Sequence, residues 1–186
     1  MPKLIVLFFG AESPAVTLAE AATEGAKSVR FTEVDLRSGG PHEAMTARRH
    51  KTLESTAQIR EYDGVIVASP AAGEIPVELN ALLDELERSS STPTNALANT
   101  VFGFLGGDNT TLAGRVVRLG GLLVSDAGDA IDPQARAFRL GARVATVVGW
   151  VRHALSHEQE HRPHQEHDHH HAESQDHHHG DQHQRA

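Results

Sequence analysis

Cysteine is absent from the 186-residue chain. That excludes thiol nucleophiles, disulfides and thiolate metal sites, and leaves the redox compartment open. Aromatic residues are scarce: one tryptophan, one tyrosine and six phenylalanines. A flat ligand therefore finds few rings to stack on. No stretch approaches the ~20 apolar residues of a membrane span. The apolar run at residues 4–9 is followed at once by Glu12 and is too short for a secretory h-region. These absences predict a cytoplasmic protein with no membrane contact. Basic charge is also in deficit, with 17 Lys and Arg against 25 Asp and Glu for a net charge of −8. That balance argues against a nucleic-acid surface. The one basic cluster, Arg48-Arg49-His50-Lys51, reads as a solvated helix face.

The composition divides the chain in two. Residues 153–186 hold 12 of the 14 histidines, seven acids against two arginines, and almost no large apolar side chain. That tail carries −5 and leaves −3 for the front part. A segment so polar cannot bury enough apolar surface to offset its ordering entropy. Residues 1–155 are expected to form one domain with a real core, and residues 156–186 a disordered tail.

Residues 3–9 (KLIVLFF) form a continuous apolar run, the mark of a central parallel strand covered on both faces. Ser13 is a good N-cap and Pro14 suits the first position of a helix over 14–26, with Ala15, Leu18, Ala19 and Ala22 as its inward stripe. Residues 29–36 alternate and read as a second strand. Residues 42–61 are polar and read as loop and short helix. Further strands are expected at 64–68, 100–105 and 121–125, and helices at 76–88 and 110–119. The 76–88 helix turns Leu79, Leu82, Leu83 and Leu86 inward. A long amphipathic helix over 133–155 buries Ala137, Leu140, Val144, Val147, Val148 and Val151. Strands alternating with helices in this way predict an α/β fold with a doubly wound parallel sheet. Ligands of such sheets sit outside the carboxyl ends of the strands, where residues 10–17, 69–76 and 106–111 converge.

Three stretches carry a resemblance over most of residues 3–152: FFGAESPAVTLAEAATEGA (8–26), EYDGVIVASP (61–70) with IPVELNALLDEL (75–86), and ARAFRLGARVATVV (135–148). Together they resemble the flavodoxin-like NAD(P)H:quinone oxidoreductases and NADPH-dependent FMN reductases of the tryptophan-repressor-binding-protein type. The resemblance implies a flavodoxin-like, doubly wound, five-stranded parallel sheet in the order 2-1-3-4-5, FMN bound across the three loops, NAD(P)H as co-substrate, a small-molecule electron acceptor, and a homodimer or homotetramer. It assigns the cofactor to Gly10, Ala11, Glu12, Ser13, Ala15, Val16 and Thr17 in the first loop, to Pro70, Ala71, Ala72 and Gly73 in the second, and to Gly106, Gly107, Asp108 and Asn109 in the third. A phosphate at a helix N-terminus needs no basic residue, because free N–H groups and the helix dipole supply the positive end.

The chain departs from the family pattern in each loop. Gly10 stands where the family has a hydroxyl, Ser13 where it has glycine, and Glu12 adds a negative charge. The second loop lacks the ring-packing aromatic, and the third lacks the histidine-bearing insertion. No Ser–His–Asp or paired-carboxylate arrangement stands out. No side chain is assigned a catalytic role, and the cofactor would carry the chemistry.

His153, His157 and His161 recur at i, i+4, i+8 as the last helix runs out, which puts them on one face. Pro163 ends the helix. Beyond it lie His164, His167, His169, His170, His171, His177, His178, His179 and His183, mixed with Asp, Glu and Gln, unlike an uninterrupted expression tag. Neutral imidazoles bind Ni²⁺, Zn²⁺, Cu²⁺ and Co²⁺, so the tail is expected to hold a divalent transition metal, nickel or zinc. Two functions are open: an FMN-dependent NAD(P)H oxidoreductase with a metal-binding tail, or a non-enzymatic flavodoxin-fold protein that has lost flavin and stores, senses or delivers nickel or zinc.

Overall fold

A computed structural model of the chain describes residues 1–10, 14–40, 50–69, 75–88, 97–106, 110–125 and 132–160. Among the described residues, six strands alternate with four α-helices: β1 (Lys3–Phe8), α1 (Pro14–Lys27), β2 (Glu33–Ser38), β3 (Lys51–Thr52), a 3₁₀ helix (Thr56–Glu61), β4 (Gly64–Ala68), α2 (Val77–Arg88), β5 (Val101–Leu105), α3 (Thr110–Arg118), β6 (Leu122–Val124) and α4 (Pro133–Glu160). All pairings are parallel, in the order β3-β2-β1-β4-β5-β6. The sheet is doubly wound, as the alternation predicted, and flavodoxin-like, as the resemblance implied. The five expected strands keep their expected order, with β1 inside the sheet.

The count of five is corrected to six. Lys51 and Thr52 form a two-residue strand on the outer side of β2, pairing with Arg37 and Ser38. Both are exposed, so no apolar alternation announced it. The second strand starts at Glu33 rather than 29, because Phe31 sits at φ +63, a left-handed conformation that interrupts an extended chain. The last helix continues to Glu160, beyond the expected domain limit at 155, and Ser156 Oγ bonds back to the Arg152 carbonyl at 2.7 Å. Residues 161–186 lie outside the described residues.

Side chains of β1 alternate between two cores. Leu4, Val6 and Phe8 join Ile66, Ala68 and the faces of α1 and α4. Ile5, Leu7 and Phe9 join Val65, Val67, Leu79, Leu83, Leu112 and Val116 under α2 and α3. The leucine stripe of α2 is buried as expected. Leu18, Val147 and Val151 reach the first core only from its margin, partly buried.

α1 and α4 cross at backbone contact. A Cβ on Gly25 would stand 1.9 Å from the Phe138 carbonyl oxygen, and one on Gly141 would stand 2.0 Å from that of Ala22. Only a residue without a side chain fits at either position. α4 then descends against the strands: Leu140 and Val144 lie over Gly103 in the middle of β5, and Val148 lies over Gly64 at the start of β4. One turn further, Arg152 Nη1 donates to the Met1 carbonyl at 2.8 Å and to Asp63 Oδ2 at 3.0 Å. Asp63 Oδ2 also accepts from the Lys3 backbone N–H at 2.8 Å. The C-terminal part of α4 is thereby fixed to the amino ends of β1 and β4.

Candidate functional site

The opposite ends of β1, β4 and β5 are drawn together by their backbones. Beyond the strands proper, the Phe9 N–H bonds to the Ala68 carbonyl and the Ser69 N–H to that of Leu105, each at 3.0 Å. Gly10 follows at φ +95 and Gly106 at φ +80, so β1 and β5 both end in turns that favour glycine. A Cβ on Gly106 would lie 2.3 Å from the Ser69 carbonyl oxygen. The three loops expected to hold a ligand thus leave the sheet side by side.

α1 begins at Pro14, directly after the first of these loops. The N–H groups of a helix's first turn have no intrahelical partner, and its dipole presents a positive end there. Ala15 is fully buried, so its contribution to the site is its backbone. Val16 packs partly into the α1–α4 core, and Thr17 is half-buried. The structure therefore brings Gly10, Ala15, Val16, Thr17 and Gly106 to this end of the sheet. Ala11, Glu12 and Ser13, Pro70 through Gly73, and Gly107, Asp108 and Asn109 lie outside the described residues.

The helices that flank the second and third loops are clamped to each other. Arg115 of α3 reaches α2 through Asp84 at 2.6 Å, Glu87 at 3.0 Å and Asn80 at 3.3 Å. Burial alone lowers the guanidinium, but its hydrogen bonds to Glu87 and Asp84 outweigh that and hold it above its ordinary value.

Sequence reasoning placed His50 on a solvated face. Its ring instead meets Phe8, the last residue of β1, edge-on with centroids 5.3 Å apart. Its Nε2 lies 3.6 Å from Glu20 Oε1 on α1. Its only sequence cue was a basic cluster, which carries no information about a tertiary partner.

Tyr62 and Trp150, the two polar aromatics, are placed elsewhere. The Tyr62 hydroxyl donates to Asp35 Oδ2 at 2.5 Å, and Arg37 Nη2 donates to the same carboxylate at 3.2 Å. The Tyr62 bond, then the Arg37 guanidinium against an opposing burial effect, hold the Asp35 carboxyl below its ordinary value. Burial, reinforced by Asp35, pushes the Tyr62 phenol up to about 12. Trp150 lies exposed on α4.

Of the twelve tail histidines proposed as ligands, His153 and His157 are described. Their Nε2 atoms stand 3.2 Å apart, and their rings meet edge-on with centroids 4.4 Å apart. Both are exposed. No cluster of three or more His, Asp or Glu among the described residues is arranged to hold an ion. Nor is any described helix long and apolar enough to cross a membrane.

Comparison with known proteins bears on the fold. No family model matches the chain, and no curated protein matches it. Solved structures do. The chain is similar to a Streptococcus pneumonia TIGR4 flavodoxin, at 16% identity and a TM-score of 0.55 over 78% of this chain and 99% of that one. It is similar to a flavone reductase at 15% identity and a TM-score of 0.59, covering 82% of this chain and 65% of the other. An NADH:FMN oxidoreductase matches at 14% identity and a TM-score of 0.52, over 79% and 90%. The fold is that of flavodoxins. At such identities the likeness extends to architecture and not to activity.

Proposed function

We propose that the chain is an FMN-binding, NAD(P)H-dependent oxidoreductase of the quinone or flavin reductase type. It would act in the cytoplasm on a small-molecule acceptor as a homodimer or homotetramer. The observation that carries this reading is the first turn of α1 set at the carboxyl end of β1, beside the close approach of Gly106 to Ser69. The donor chemistry fits a phosphate: the backbone N–H groups of Ala15 and Val16 and the Thr17 hydroxyl would hold it, and the first turn of α1 contains no acid. The glycine turns at positions 10 and 106 let the chain leave β1 and β5 beside that helix terminus. Bound FMN supplies the hydride chemistry; the residues of the chain bind it and orient it. The tail would take up nickel or zinc.

A specific observation supports the second reading, a non-enzymatic flavodoxin-fold protein that handles metal. Tyr62 is engaged with Asp35 and Trp150 lies on α4, so neither is at the loops to pack on an isoalloxazine. A lost aromatic contact is worth ~0.5–1.5 kcal/mol, and Glu12 near a dianion about 1 kcal/mol. FMN should then bind roughly tenfold to sixtyfold more weakly than at a site with both features intact.

Titration of FMN with fluorescence quenching as the readout decides between the two. Glu12→Gly should tighten binding about fivefold, and Thr17→Val should weaken it. An added quinone should then support NAD(P)H oxidation. If millimolar protein leaves the flavin spectrum unchanged and Glu12→Gly does not restore binding, the oxidoreductase reading fails and the metal-handling one stands.

A further inference from the structure

We infer that His153 and His157 form a two-imidazole site for one divalent late transition ion, borne on the structured end of α4 at the pole opposite the three loops. The inference rests on the metal-binding reading of the C-terminal histidines and assigns these two a fixed, separate site.

The geometry of the pair carries the argument. With metal–nitrogen bonds of about 2.0–2.1 Å, two imidazoles at right angles around an ion stand about 2.9 Å apart, and two at a tetrahedral angle about 3.3 Å. The Nε2 atoms of His153 and His157 are 3.2 Å apart, inside that interval. The bite is set by the helix, which brings side chains four residues apart onto one face. The α4 backbone is hydrogen-bonded through Glu160 and anchored one residue earlier, where Arg152 holds Met1 and Asp63. The backbone that carries the two ligands is therefore ordered before the ion arrives, which reduces the ordering cost of a flexible site. The local charge also suits a cation. The pair lies in the last turns of a 28-residue helix, at the negative end of its dipole, and the Arg152 guanidinium is turned to Asp63. Water molecules would complete the coordination. The pair would exchange its ring-to-ring contact for the ion.

The sole tryptophan provides the test. Trp150 is exposed on α4, three residues before His153 and so on the neighbouring turn of the same face. A paramagnetic ion on the pair should quench it. The full-length chain is titrated with Cu²⁺ at free concentrations fixed by a chelating buffer, so that other sites do not deplete the ion. Saturable quenching of Trp150 is expected, with a midpoint at least tenfold higher in His153→Gln or in His157→Gln. The combined replacement of His177, His178 and His179 by glutamine should leave the midpoint within twofold. Both helix histidines are exposed, so these variants keep the core, which far-ultraviolet circular dichroism checks. Quenching that survives both helix variants and is lost in the triple variant would overturn the inference. So would an unquenched Trp150 in a chain that calorimetry shows to be loaded with Cu²⁺, which would leave the metal-binding reading standing. Neither heat nor quenching would remove both.

Discussion

Tyr62 and Asp35 form one short hydrogen bond between the segment ahead of β4 and the middle of β2, and it should be visible in the pH dependence of stability. The Asp35 carboxyl is held below its ordinary value in the folded chain. A carboxyl so depressed contributes stability above its unfolded value and loses it as the pH falls through the folded one. Tyr62→Phe should cost about 1 kcal/mol at pH 7, a figure that allows for partial exposure of the pair. The difference from the parent chain should shrink as the pH falls below about 4. Urea denaturation at pH 7 and at pH 3 checks both statements; an equal cost at both would rule out the ionised carboxylate as the partner. Gly106→Ala tests the ligand end. At φ +80 with the Ser69 carbonyl 2.3 Å from the new methyl group, the substitution should cost at least about 1–2 kcal/mol of stability and weaken any FMN binding measured by titration. The Tyr62–Asp35 bond and the His50–Phe8 contact were not legible in the sequence. Tyr62 and Asp35 are 27 residues apart and His50 is far along the chain from Phe8, and no local pattern encodes such partners. Gly106 was readable as the end of a strand because it is a glycine, the residue that its left-handed φ favours.

Helix α4 contains glycines whose replacement should have opposite consequences. Gly141 touches the Ala22 backbone, whereas a Cβ on Gly149 meets nothing within 4 Å. Gly141→Ala should destabilise by about 1–3 kcal/mol, the range for overpacking, and Gly25→Ala should do the same from the α1 side. Gly149→Ala should stabilise by up to about 1 kcal/mol, through helix propensity alone. Thermal and urea unfolding of the three variants gives the signs directly; a neutral Gly141→Ala would mean that α1 and α4 separate at little cost. The sequence revealed these helices because their apolar residues recur at helical spacing, with Ala137, Leu140, Val144 and Val148 all buried. It did not reveal β3, because a two-residue strand has no periodicity to read. It misplaced the start of β2 because Val29 and Phe31 alternate like strand residues, while the chain turns at Phe31.

The two proposed sites lie at opposite ends of the sheet. The loops after β1, β4 and β5 lie at one, and His153 and His157 continue from the other, where Arg152 meets Met1 and Asp63. The height of the sheet, roughly 17–20 Å for strands of five or six residues, separates them. Loading the chain with Ni²⁺ should therefore leave the FMN midpoint unchanged within twofold. A larger shift in a paired titration would show that the two ends communicate. At this scale the sequence was most informative: an unbroken apolar β1 marked an inner strand, and the alternation of strands and helices restricted the topology to a doubly wound sheet. The ends of β1, β4 and β5 were legible in position because they follow from topology, while the grip of the proposed loops on a ligand depends on atoms that no periodicity reports. One consequence of the sheet concerns its margins. An open sheet presents unpaired backbone groups along both outer strands, which can recruit strands from other molecules. Among the described residues those strands are β3 and β6, two and three residues long. An incoming chain would find very few consecutive backbone partners, so the brevity of its outermost strands guards the protein against edge-to-edge aggregation even where Leu122 and Leu123 are exposed.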